Sequence, residues 1–159
     1  MALTGAMQWE IGNWQLAMVE IINRQRKRRL NGRRWRDFAE RALQAIGNAR
    51  ELETTIVFVS DPAIKKLNYQ FRGKDYATDV LSFPTEHERF ENELKTNLGE
   101  VVISLDHAAA QAKASGLSLA NEVEQLILHG LLHLSGYDHE TDDGEMDRLE
   151  LKLRKKLGI

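Results

Sequence analysis

Three of the chain's five histidines lie in one short stretch, HGLLHLSGYDH, running from His129 to His139. His129 and His133 are four positions apart, so on a helix both rings sit on one face, one turn apart. His139 follows six positions later with Gly136 between, and cannot continue the same straight helix. If the helix ends at Ser135-Gly136, the glycine takes the left-handed conformation without a Cβ clash. Tyr137-Asp138 then carries His139 back over the first two rings. The pattern H-x-x-x-H-x-x-G-x-x-H thus offers three imidazole nitrogens to one cation. Catalytic zinc sites use three protein ligands plus a water, with imidazole nitrogens at about 2.0–2.1 Å. The expectation is one Zn2+ per chain, held by His129, His133 and His139. A lone histidine is usually satisfied by backbone, but three at this spacing around a helix-ending glycine call for a metal.

The same spacing occurs in metzincin proteases, where a glutamate general base follows the first histidine. Here that position is Gly130. A zinc metallopeptidase-like hydrolase therefore stands second, because its carboxylate would have to come from elsewhere. A third reading makes the zinc structural, closed by a fourth protein ligand, for which Asp138 and Asp142 are the candidates on position alone.

The elements that must position these residues follow from periodicity. Ser118 is placed to cap the histidine helix, with Glu122 and Glu124 in its early turns. Val123, Leu126, Ile127, Gly130, Leu131 and Leu134 form one apolar stripe, and Leu128 and Leu132 lie on the other side. A helix this apolar all round is buried, and its remaining face, with Glu122, Gln125, His129 and His133, lines a polar cleft. Strands are expected at Ala17–Gln25, Thr54–Ser60, Asp79–Pro84 and Leu98–Ser104. Further helices are expected around Trp35–Ile46 and after Asp61, read as an N-cap with Pro62 at the first helical position. Two more are the alanine-rich segment closed by Gly116 and a terminal helix with apolar edge Met146, Leu149, Leu153 and Leu157. The acidic stretch from Thr85 to Asn97 reads as a hairpin or surface loop. The order of elements indicates an α+β fold, a small mixed β-sheet flanked by helices, with the zinc site at the C-terminal end of a buried central helix.

The 159 residues suit one domain, expected over residues 17–159 after an N-terminal extension, residues 1–16. The chain is 42% hydrophobic and 29% charged, too apolar for general disorder. Without cysteine it has neither disulfides nor thiolate-ligated metal, which is compatible with a reducing cytoplasm. No stretch is apolar enough to span a membrane, and the start lacks the basic and apolar regions of a signal peptide. The net charge of −2 gives no global attraction to a polyanion. One local run does, RQRKRRLNGRRWR, from Arg24 to Arg36. Such clustered charge neutralises RNA phosphates, and Arg26, Lys27 and Arg29 are its candidate RNA contacts. Trp35 belongs to the core by its helical phase. Lys74, Asp75, His87 and His107 read as ordinary surface residues.

Three stretches together resemble the YbeY family of bacterial metallo-endoribonucleases: LNYQFRGKDYATDVLSFP (Leu67–Pro84), LGEVVIS (Leu98–Ser104) and HGLLHLSGYDH. INRQR near the start is also similar, and the resemblance runs from about Met18 to the end. Glu100 stands where the family more usually has Asp, which touches no expected ligand. The resemblance implies a single-strand-specific, zinc-dependent endoribonuclease in the cytoplasm. Its implied roles are maturation of the 3′ end of small-subunit ribosomal RNA and ribosome quality control, with ribosomal subunits and assembly factors as partners; with a structural zinc the chain would instead be a non-enzymatic ribosome-assembly factor. It also places the family's functional arginine on Arg72, whose planar fork suits a phosphate. Zinc can supply a hydroxide nucleophile near neutral pH, or act as a Lewis acid while the ribose 2′-OH attacks; both routes stay open.

Overall fold

The computed structural model describes residues 17–47, 52–86 and 97–159, so the extension and most of the acidic stretch, including His87, lie outside the described residues. Among the described residues nine elements follow in chain order: β1 (Met18–Asn23), α1 (Gly32–Ile46), β2 (Glu53–Val59), α2 (Asp61–Arg72), β3 (Val80–Pro84), β4 (Asn97–Ser104), α3 (Leu105–Ser115), α4 (Leu119–Leu134) and α5 (Glu145–Leu157). The four strands form one sheet in the order β1-β2-β4-β3. β1, β2 and β4 are parallel, while β3 runs antiparallel to β4 at the edge. The expected mixed sheet flanked by helices is what the chain forms.

Side chains alternate across the sheet with the strand period of two. Ile56, Phe58, Val101 and Ile103 face the larger core, built with α1, α4 and α5. Val59, Leu81 and Val102 face the smaller one, which α2 closes with Ile64. β2 and β4 carry apolar residues on both faces because helices cover both. Trp35 is 7% exposed and packs on Phe58 with ring centroids 6.4 Å apart, as its helical phase requires.

α4 lies in the larger core. Ile127, Leu128, Leu131 and Leu132 are fully buried. Ser118 caps it, its hydroxyl accepting the Asn121 N–H at 3.1 Å. Gly130 is where the helix meets the sheet: a Cβ there would lie 2.5 Å and 3.0 Å from the two methyl carbons of Val101. Only a glycine allows this approach.

One boundary differs from expectation. Ser60, not Asp61, is the N-cap of α2, and its carbonyl accepts from Ala63 and Ile64. The Asp61 carboxylate instead accepts from the Ser104 hydroxyl at 2.5 Å and sits 3.4 Å from His107 Nδ1, tying α2 to the start of α3. A partner distant in sequence outcompetes the local cap.

Candidate metal centre

α4 ends where the glycine demanded. Ser135 is its C-cap, and Gly136 follows with φ +96°, in the left-handed region. The turn is held by Gly136 N–H on the His133 carbonyl and Tyr137 N–H on the Leu132 carbonyl, both 3.1 Å. It brings His139 back over α4. The ring centroids of His129, His133 and His139 are 4.8 to 5.4 Å apart. One ligand nitrogen from each ring lies within 4.8 Å of the others.

The donor set fits a divalent cation. His129 Nδ1 is 3.0 Å from the Glu150 carboxylate on α5. An ionised carboxylate can only accept, so this bond puts the proton on Nδ1 and leaves the Nε2 lone pair free. That lone pair faces His133 Nε2 at 3.2 Å. Burial, reinforced by charge on His129 and His139, holds His133 below its ordinary pKa and favours the neutral, ligating form. Two imidazole nitrogens aimed at each other, with a third ring closing the group, need a shared proton or a shared cation between them. A soft-to-borderline cation that prefers nitrogen, such as zinc, suits three imidazoles better than calcium or magnesium does.

Glu150 is the residue sequence reasoning missed. It is 6% exposed, and its other oxygen accepts from Arg154 one turn later. Burial pushes its carboxyl up, but the hydrogen bonds and charges of His129 and Arg154 outweigh that and leave it below the ordinary value. The signal was available. Met146, Glu150 and Leu153 form the buried stripe of α5 at i, i+4 and i+7, and a carboxylate on such a stripe has a partner.

The three rings open into a cleft of about 470 Å³, whose other walls are β3 and the end of α2. Arg72 lines the same cleft, as the last residue of α2 before the left-handed Gly73. It is 3.8 Å from Glu140, an exposed pair of little strength. Arg26, Lys27 and Arg29 are not in this cleft. All three are exposed, and Lys27 sits 3.5 Å from Asp106. Elsewhere in the run, Arg34 pairs with the buried Glu124 at 3.0 Å and Arg36 donates to the Val19 carbonyl, so part of this charge holds α1 in place.

Two carboxylates considered as a fourth ligand are engaged elsewhere. Asp142 accepts from the backbone N–H groups of Gly144, Glu145 and Met146 and so caps α5, and Asp138 accepts from Glu140 N–H. Among the described residues the cluster is three histidines and no carboxylate. The same geometry weakens the peptidase reading. Position 130 points into the sheet at Val101, so a glutamate there would meet the core.

A family model described as endoribonuclease YbeY matches residues 20–158. The chain belongs to the YbeY family. An endoribonuclease YbeY from Nautilia profundicola is 50% identical over 104 residues, covering 65% of this chain and 71% of that protein. The one from Geobacter metallireducens is 38% identical over 142 residues, covering 89% and 94%. The solution structure of TM1509 from Thermotoga maritima is similar with a TM-score of 0.58 and 28% identity, over 88% of this chain and 89% of that one. YbeY relatives thus match nearly the whole described chain, and the family name is that of an enzyme cutting RNA within the strand. Among the described residues no helix is long and apolar enough to cross a membrane.

Proposed function

We propose that this chain, acting as a single domain over residues 17–159, is a zinc-dependent endoribonuclease specific for single strands. In this reading His129, His133 and His139 hold one Zn2+ and Arg72 engages a phosphate. The process is maturation of the 3′ end of small-subunit ribosomal RNA and ribosome quality control, in the cytoplasm, with ribosomal subunits and assembly factors as partners. The observation that carries it is the shared cleft: three converging imidazoles on one wall and a guanidinium on another.

When bound, the metal would supply positive charge to stabilise phosphoryl oxygens and would lower the pKa of a hydroxyl donor. The chain's own residues do the rest. Glu150 orients the His129 ring through Nδ1, and Arg154 holds Glu150. The α4 turn fixes His129 and His133 rigidly, so orientation costs little entropy on binding. Arg72 exchanges a weak, solvent-screened contact with Glu140 for a bidentate pair with two phosphoryl oxygens, where transition-state charge builds. The deciding assay is cleavage of single-stranded RNA and of casein by the purified protein, with and without chelator. RNA cleavage abolished by chelator and restored by zinc is expected. Casein cleavage alone would transfer the site to the peptidase reading, and activity untouched by verified metal removal would overturn the zinc requirement.

A further inference from the structure

One wall of the cleft is β3, at the edge of the sheet. Among the described residues β3 pairs only with β4, and Val80, Ser82 and Pro84 line the cleft along with Arg72 and the three histidines. The ladder's hydrogen-bond phase tells which backbone groups face that opening. At its two ends, Ser104 N–H donates to the Asp79 carbonyl at 2.8 Å and Thr85 N–H to the Leu98 carbonyl at 3.1 Å. Opposed residues in an antiparallel ladder alternate between bonded and non-bonded pairs. In the observed register, Leu81↔Val102 and Phe83↔Glu100 are therefore the bonded pairs. Val80, Ser82 and Pro84 belong to the other set, so their backbone polar groups point away from β4.

The sequence agrees with this phase. Proline has no N–H to give, and Pro84 stands at an outward position, where none is needed. The Val80 N–H is taken by the Asp79 carboxylate at 2.7 Å. The Ser82 hydroxyl turns inward, 3.4 Å from the Gly130 carbonyl on α4. What the edge leaves for a ligand is one N–H, on Ser82, flanked by the carbonyls of Val80 and Ser82, with the Pro84 carbonyl beyond them. Among the described residues no hydrogen-bond partner reaches them.

We infer that this edge is a docking rail for the ribose-phosphate backbone of unpaired RNA. The inference rests on the endoribonuclease reading above and adds substrate contacts to it. The Ser82 N–H donates to a phosphate oxygen, and the carbonyls of Val80 and Ser82 accept from ribose 2′-hydroxyls. A phosphate contact is charge-assisted and fixes register. A carbonyl facing a ribose distinguishes RNA from DNA, because only RNA has the 2′-OH donor. Arg72 at the same cleft supplies the charge complementarity that a polyanion needs, whereas the backbone of an extended peptide carries no charge for it to pair with. The bases play no part in these contacts, so the rail reads backbone rather than sequence.

The discriminating variant is Ser82→Pro, which deletes the outward N–H that Asp79 does not take and leaves the ladder bonds intact. Ser82→Ala is its control, removing only the hydroxyl. Binding of a single-stranded oligoribonucleotide is measured by fluorescence anisotropy in chelator, to prevent cleavage, and KM and kcat are measured in the zinc-loaded protein. Ser82→Pro is expected to weaken binding and raise KM by about ten- to a hundredfold, the worth of a hydrogen bond to a charged group. Ser82→Ala keeps its N–H, so Ser82→Pro should lose about that factor relative to Ser82→Ala as well as to wild type. Melting curves check that both variants fold. A second measurement needs no variant: wild-type protein is titrated with oligoribonucleotides carrying a single 2′-deoxy substitution at successive positions. One or two positions should lose at least about fivefold in binding, the scale of one neutral hydrogen bond. Equal binding by folded Ser82→Pro and wild type, or uniform tolerance of every 2′-deoxy substitution, would overturn the rail while leaving the endoribonuclease reading in place. A peptide whose binding depends on the Ser82 N–H, with RNA binding unaffected, would assign the edge to polypeptide and also overturn it. Wild-type protein that neither binds nor cleaves RNA would instead fail the parent reading.

Discussion

Replacing Glu150 separates the metal site from the fold that carries it. Its carboxylate is 6% exposed, accepts from His129 Nδ1 at 3.0 Å, and is held by Arg154 on its other side. In Glu150→Ala the His129 ring loses the bond that sets its tautomer and its tilt, and Nε2 no longer points reliably at the other two imidazoles. Removing a partner of this kind costs about 10–100-fold in metal affinity, or about 1.4 to 2.8 kcal/mol. Glu150→Gln retains an accepting oxygen and most of the shape but loses the charge, so it belongs at the low end of that range. A separate cost falls on the metal-free protein, because Arg154 and His129 Nδ1 are left without their acceptor. Both are partly exposed and water reaches them, so that cost is about 1–3 kcal/mol rather than that of a fully buried pair. The assay is zinc competition against a chromophoric chelator at fixed pH, paired with melts in excess chelator. Ordering of wild type, Gln and Ala in affinity is expected. Zinc affinity in Glu150→Ala within twofold of wild type would refute the positioning role, even if the melt moved.

His129→Ala, His133→Ala and His139→Ala should each lose most bound zinc by elemental analysis, and chelation should lower the wild-type melting temperature, because the ion would join α4 to the turn beyond it. Unchanged zinc in all three would end the ligand assignment. Arg72→Ala should keep zinc and fold while losing much of the RNA cleavage, and Arg72→Lys should recover only part, since a point charge cannot make the bidentate contact; wild-type rates in both would remove Arg72 from the site. Gly130→Ala should destabilise by about 1–3 kcal/mol in denaturant titration, with Val101→Ala recovering some of the loss by removing the methyls it meets. Converting Arg26, Lys27 and Arg29 together to Gln should weaken RNA binding and flatten its log–log salt slope by about 0.7 per lost contact, with zinc unchanged; parallel slopes and equal affinities would make this run a solvated junction.

What could be read from the sequence was what depends on neighbours a turn or two away. The i, i+4 histidines, Gly136 as the helix stop, Ser118 as a cap and Trp35 in the core all follow from local spacing, and all appear in the fold. Pairings across long separations were out of reach. Asp61 looks like a cap until Ser104, 43 residues on, takes its carboxylate. Asp142 looks like a ligand by position, yet its oxygens go to the first N–H groups of α5, a local use that the following Gly-Glu pattern could have suggested. β3 was legible as a strand but not as an edge. That status arises because β4, later in sequence, inserts between β2 and β3.

The dependence of His129 on Glu150 has a consequence during synthesis. α5 follows all three histidines in the chain, and Arg72 and β3 precede them. A growing chain folds from its N-terminal side, so it can assemble the sheet, and even display the histidines, while the carboxylate that orients them is still unmade. The enzyme proposed here cuts RNA, and it is itself made on a machine built of RNA. Placing the orienting carboxylate after the histidines would keep a nascent chain's centre incomplete until α5 has emerged and docked, so competence would arrive with that helix.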